Sequence, residues 1–107
     1  MADKIIALAC NAGMSTSLLV TKMQKVAEEQ GKNYEIFAKP TAEIDNMLSA
    51  TDKPNVLMLG PQVGYMKAEI TKKGESFGVP VDVVNMQDYG MMRGDKVLEA
   101  AEKLMGL

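Results

Sequence analysis

Residues 4–20 read KIIALACNAGMSTSLLV. Ile5-Ile6-Ala7-Leu8-Ala9 is an apolar run without polar alternation, the pattern of a strand covered on both faces. The run breaks at Cys10-Asn11-Ala12-Gly13-Met14-Ser15-Thr16-Ser17. Apolar residues then return at Leu19, Val20, Met23, Val26 and Ala27, the spacing of one helix face. A doubly covered strand running straight into a helix needs a parallel sheet with helices packed on it. The cysteine falls where that strand ends.

The rest of the chain repeats the alternation. We expect strands over 4–9, 34–38, 55–59 and 79–84, and helices over 16–30, 42–49, 65–75 and 95–105. Gly31 closes the first helix as a C′ residue. Ile44, Met47 and Leu48 should face inward from the second helix, and Met66, Ile70 and Phe77 from the third. Residues 60–64 read as a tight turn and 85–94 as an irregular link or short helical turn. Asp95 is the expected N-cap of the last helix, whose apolar stripe is Val97, Leu98, Ala101, Leu104 and Met105. The second strand carries Glu35, and the fourth carries Pro80 and Asp82, so both belong at sheet edges. Right-handed crossovers then give a four-stranded parallel sheet in the order 2-1-3-4. The expected class is α/β with helices on both faces, an open doubly wound, flavodoxin-like fold over one domain, 1–107. In such a sheet ligands bind beyond the strand C-termini where the winding reverses. That point lies between Cys10 and Gly60-Pro61-Gln62.

The chemistry follows from this placement. Amides at a helix start lack intrahelical partners and carry the positive end of the helix dipole, so they hold anions. The same environment moves a thiol towards its nucleophilic thiolate. Gly13 allows close backbone approach, and Ser15, Thr16 and Ser17 supply hydroxyls and an N-cap. A lone cysteine is by default a small buried hydrophobe, but a loop of small and hydroxyl residues is poor core-filling sequence. Composition narrows the options. The net charge of −2 argues against a general nucleic-acid binder. One cysteine excludes an internal disulfide, and the absence of histidine excludes any Cys-His dyad or His-based metal site within the chain. No run approaches a membrane span and no signal-peptide pattern is evident, so a cytoplasmic, monomeric protein without metal or organic cofactor is expected.

With its loop CNAGMSTSLLV, its turn LGPQVGYM and its late segment QDYGMMRGDKVLEAA, the chain resembles enzyme IIB of the bacterial phosphoenolpyruvate-dependent sugar phosphotransferase system, lactose/cellobiose family. The resemblance covers essentially the whole chain. It implies that Cys10 takes a phosphoryl group from a phosphohistidine of enzyme IIA. It implies further that Cys10 passes this group to a β-glucoside-type sugar entering through the membrane component, enzyme IIC. Asn11, Ala12, Gly13, Met14, Ser15 and Thr16 would form the phosphate-holding loop. Met14, Gln62 and Tyr65 are the expected partner contacts.

Two other readings stand beside this one. A low-molecular-weight cysteine phosphatase or arsenate-reductase-like enzyme would need Cys-x5-Arg. Here the sixth position after Cys10 is Thr16, and Arg93 is the only arginine. A hydroxyl cannot replace the bidentate grip of a guanidinium, and arsenate reduction would need a second cysteine. The third reading is a non-catalytic binding module of the same fold. Of the ten methionines, Met14, Met66, Met91 and Met92 fall towards the expected site and suit an adaptable docking surface. Asp88, Tyr89 and Arg93 follow the fourth strand, two strand spacings or about 10 Å from the first, so no direct catalytic part is expected of them.

Overall fold

A computed structural model describes residues 2–11 and 14–107. The strand β1 spans Lys4–Cys10 and ends on the cysteine. The helix α1 covers Met14–Glu29, and Gly31 takes a left-handed φ of 70° just beyond it. The strand β2 is Tyr34–Pro40, followed by a 3₁₀ turn over Thr41–Glu43 and the helix α2, Ile44–Ser49. The strand β3, Val56–Leu59, leads through a 3₁₀ stretch, Pro61–Met66, into the helix α3, Lys67–Phe77. The strand β4 is Val81–Val83, and the helices α4, Met86–Gly90, and α5, Gly94–Leu104, complete the order.

The sheet is parallel throughout, in the order β2-β1-β3-β4. The two apolar strands are central and the two polar-bearing strands are edges, as expected. Strand side chains alternate between faces. Ile6 and Leu8 of β1 pack with Leu19, Met23, Val97 and Leu98 from α1 and α5. Ala7 and Ala9 pack with Ile44, Leu48, Val63 and Ile70 on the opposite face. Each fully buried Leu or Ile contributes about 1.5–3 kcal/mol through removal from water.

Several expectations are corrected. β2 continues to Pro40, because a proline at the end of an edge strand forfeits no ladder bond that the sheet needs. Phe77 is 41% exposed. Its expected inward place is filled by Gly74, whose backbone lies against Val79; an added Cβ would stand 2.4 Å from the Val79 carbonyl oxygen. Helix and strand approach too closely there for a side chain. The stretch 85–94 takes the short helical form of the two expected: it contains α4, capped by Asn85, whose Oδ1 accepts from the amides of Gln87 and Asp88 at 2.9 and 3.0 Å. Asp95 does not cap α5. It lies in the first turn and accepts two hydrogen bonds from the Arg93 guanidinium, at 3.1 and 3.0 Å. That pairing holds its carboxyl below the ordinary carboxylate value.

At the end of the molecule away from Cys10, Glu102 of α5 accepts hydrogen bonds from Lys32 and, at 2.7 Å, from the Tyr34 hydroxyl. Burial pushes Glu102 up, but the two hydrogen bonds and the Lys32 charge outweigh it, so its carboxyl lies below the ordinary 4.5. Tyr34 is pushed up to about 12, first by burial and then by the Glu102 carboxylate. The signs are opposite. Stability from Glu102 is present above 4.5 and is lost as pH falls through its lower folded value. Stability from Tyr34 is present below 10.0 and is lost as pH rises towards about 12. We expect Glu102→Gln to cost about 1–2 kcal/mol, a value discounted for partial exposure. It should also flatten both limbs of the stability–pH profile, as read by urea unfolding across pH.

Candidate functional site

Three strand ends and one helix start meet at the C-terminal edge of the sheet. Cys10 closes β1 opposite Pro40 of β2, and the chain after β3 turns beside it. The Gly60 amide donates to the Ala9 carbonyl at 2.9 Å. A Cβ built on Gly60 would stand 3.2 Å from the Cys10 Cβ and 2.9 Å from Gln62 Oε1. Gly60 is therefore demanded by the closeness of the β3 turn to the cysteine, and the amide group of Gln62 folds back over that turn.

Cys10 is buried, 3% exposed. By alternation it shares the face of Ile6 and Leu8, towards α1. A hollow of about 80 Å³ lies against it, lined by Cys10, Asn11, Ser17, Ala38, Lys39 and Pro40. About 10–15 Å³ of such space holds one water, so the hollow has room for a small anion beside the thiol. Its lining is not purely aliphatic: Asn11 and Ser17 border it, and Thr41 Oγ1 donates to Asn11 Oδ1 at 3.4 Å. A larger hollow of about 440 Å³ lies away from the thiol, where Phe37 of β2 and Met47 of α2 meet.

The helix α1 points its start at this corner. Its first turn, Met14-Ser15-Thr16-Ser17, contains no acidic residue, so nothing within that turn offsets the positive end of the dipole. Since α1 begins at Met14, the three hydroxyl residues lie inside the first turn instead of capping it. Ser15 and Ser17 face outward, whereas Thr16 is fully buried and its hydroxyl is hydrogen-bonded to Tyr89 at 3.0 Å. The Thr16 hydroxyl is thus engaged with Tyr89 in the core. Ala12, Gly13 and the Met14 side chain lie outside the described residues.

Among the expected partner contacts, Tyr65 is 78% exposed and Gln62 is exposed. Two further apolar residues stand out on the chain that follows β4: Met86, 74% exposed, and Met91, 64% exposed. Neither Tyr89 nor the β2 end, Ala38 to Pro40, was anticipated beside the cysteine. The Asn85 cap set four residues before Tyr89 was the available signal, since the residue at that helical position commonly turns back onto the core. The pairing of Cys10 with Pro40 had no local signal, because register depends on both strands.

Comparison with known proteins agrees with this fold. Residues 5–100 match the family model of the PTS system, Lactose/Cellobiose specific IIB subunit. The chain is 73% identical to the PTS system galactose-specific EIIB component of Lactococcus lactis subsp. cremoris, covering 98% of this chain and 99% of that protein. It is 72% identical, at the same coverage, to the cellobiose-specific EIIB component of Lactococcus lactis subsp. lactis. The solution structure of the cellobiose-specific phosphotransferase IIB component from Borrelia burgdorferi superposes with a TM-score of 0.77 at 33% identity, covering 96% of this chain and 92% of that one. The lactose-specific IIB domain from Streptococcus pneumoniae, at 16% identity and a TM-score of 0.79 over 94% of this chain and 95% of that one, shares the fold. IIB components work with IIA and IIC partners in sugar transport. A family match over residues 5–100 and identities of 73% and 72% across nearly the whole chain leave one conclusion: the chain belongs to the lactose/cellobiose-specific IIB subunits of the phosphotransferase system, phosphotransferases that carry a phosphoryl group to sugar.

Proposed function

We propose that Cys10 is the phosphoryl carrier of this subunit. The observation that carries the reading is the placement of the thiol at the end of β1, against a hollow bordered by Ser17 of the first turn of α1. In the first step the Cys10 sulfur attacks phosphorus on a phosphohistidine of enzyme IIA. The S–P bond forms, the P–N bond breaks, and the thiol proton ends on the departing imidazole. In the second step a sugar hydroxyl presented by enzyme IIC attacks the same phosphorus. The O–P bond forms, the S–P bond breaks, and the hydroxyl proton returns to the thiol. Asn11 and the amides of Ala12, Gly13, Met14, Ser15 and Thr16 hold the phosphoryl group between the two steps.

A carrier must resist water. The loop holds no arginine to gather transition-state charge and no general acid to assist a leaving group. Transfer therefore depends on a partner placing its nucleophile or leaving group in line. Tyr65 and Gln62, with Met14, form the docking contacts, joined by the exposed Met86. The domain extends over 1–107 and acts in the cytoplasm, meeting the membrane through its IIC partner. Among the described residues no helix is long and apolar enough to cross a membrane.

The transported sugar belongs to the cellobiose, chitobiose or lactose class. Relatives named for galactose and for cellobiose are 73% and 72% identical to this chain, so nearly equal similarity spans two sugars. This supports selection of the sugar by IIC.

The test is incubation with phosphoenolpyruvate, the general phosphotransfer proteins and a matched IIA, followed by intact-mass and peptide analysis. One added phosphoryl group on Cys10 is expected, with slow turnover of p-nitrophenyl phosphate. Label elsewhere would overturn the assignment of Cys10, and rapid hydrolysis would favour a phosphatase.

A further inference from the structure

Among the described residues Thr16 is a fully buried polar side chain, and its hydroxyl reaches only as far as Tyr89. Tyr89 belongs to α4, after the edge strand β4, and is itself 8% exposed within the core against α1 and α5. The bond spans the sheet: it joins the helix turn beside Cys10 to an element two strands away. We propose that Tyr89 is a positioning residue for phosphoryl transfer, holding the first turn of α1 through Thr16 so that its amides face the hollow at Cys10.

Two buried hydroxyls have few alternatives. Leaving either unpaired in the core costs free energy, so rotating the first turn of α1 is penalised by loss of this bond. The neighbouring hydroxyls, Ser15 and Ser17, are exposed and give no such restraint. A displacement of the amides by a fraction of an ångström weakens their grip on a tetrahedral anion and misaligns the S–P bond, and errors of this size carry large rate penalties. Tyr89 does not touch the phosphoryl group. It acts through Thr16, from a helix whose outer surface carries the exposed Met86.

The inference rests on the reading of Cys10 as the carrier, and the experiment separates the two. Wild type, Thr16→Val, Tyr89→Phe, Thr16→Ser and the double variant Thr16→Val/Tyr89→Phe are phosphorylated by IIA, at a temperature well below each Tm. The observed quantities are kcat and KM for the phospho-IIA donor and the half-life of the phosphocysteine. Either single loss of hydroxyl is expected to lower kcat and shorten the half-life about tenfold, with KM for the donor nearly unchanged. Thr16→Ser should restore both. The double variant replaces a polar pair by an apolar pair of similar shape, so it should recover most of the Tm lost by a single variant while keeping the transfer defect. A double variant with wild-type half-life and kcat would make the bond purely structural and overturn the inference. So would a Tyr89→Phe chain indistinguishable from wild type. If wild type itself takes no label at Cys10, the carrier reading falls, and the inference with it.

Discussion

Cys10→Ser is expected to fold as wild type does and to lose phosphoryl transfer to sugar by on the order of a thousandfold or more. The fold tolerates it because serine differs from cysteine by one atom and is no larger, so the close turn at Gly60 is undisturbed. The chemistry does not. An alcohol is far less acidic and less polarisable than a thiol, so it attacks phosphohistidine slowly; once phosphorylated, it is a poor leaving group for the second step. Circular dichroism and thermal unfolding should superpose on wild type, while coupled transfer from phosphoenolpyruvate to sugar falls to background. A Cys10→Ser chain that still relays phosphate at a substantial rate would remove the cysteine from the mechanism.

Gly74→Ala is expected to be the most damaging small substitution for stability, at about 3 kcal/mol. In most helices this change stabilises by about 0.5–1 kcal/mol through reduced backbone entropy in the unfolded chain. Here the added Cβ would meet the Val79 carbonyl oxygen at 2.4 Å and Val81 Cγ2 at 2.7 Å. The carbonyl cannot swing away as a side-chain tip can. Relief requires α3 to move off β4, which breaks the hydrogen bond from the Val79 amide to the Gly74 carbonyl, now 2.8 Å. A domain of this size loses about 4–8 °C in Tm per kcal/mol, so scanning calorimetry should show a fall of about 12–24 °C. Gly90→Ala is the control. Nothing lies within 4 Å of its added Cβ, and a neutral or slightly stabilising result is expected.

Much of this architecture was legible before the structure. The apolar, proline-free runs of β1 and β3 against Glu35, Pro80 and Asp82 decided which strands are central, because an edge strand tolerates polar and proline residues that an interior one does not. The strand order followed, and with it the location of the crevice and of Cys10. What failed were positions whose outcome depends on a distant partner. Phe77 has the spacing of an inward residue, yet the inward place belongs to Gly74, because Val79 and Val81 come so close. Asp95 has the chemistry of a cap, but Arg93 lies two residues away and takes its carboxylate. Counting strand spacings sets Tyr89 about 10 Å from β1, whereas α4 folds back and brings its hydroxyl to Thr16.

Sequence by itself determined the order of the elements, the parallel sheet, the reversal of winding and the presence of one thiol at that reversal, since these follow from local periodicity and connection geometry. The tertiary structure alone decided what surrounds the thiol: the Pro40 register, the close approach of Gly60, the hollow bordered by Asn11 and Ser17 and the tie from Tyr89 to the first turn of α1. Those features join residues far apart in the chain, and their distances are settled only when both faces of the sheet are packed.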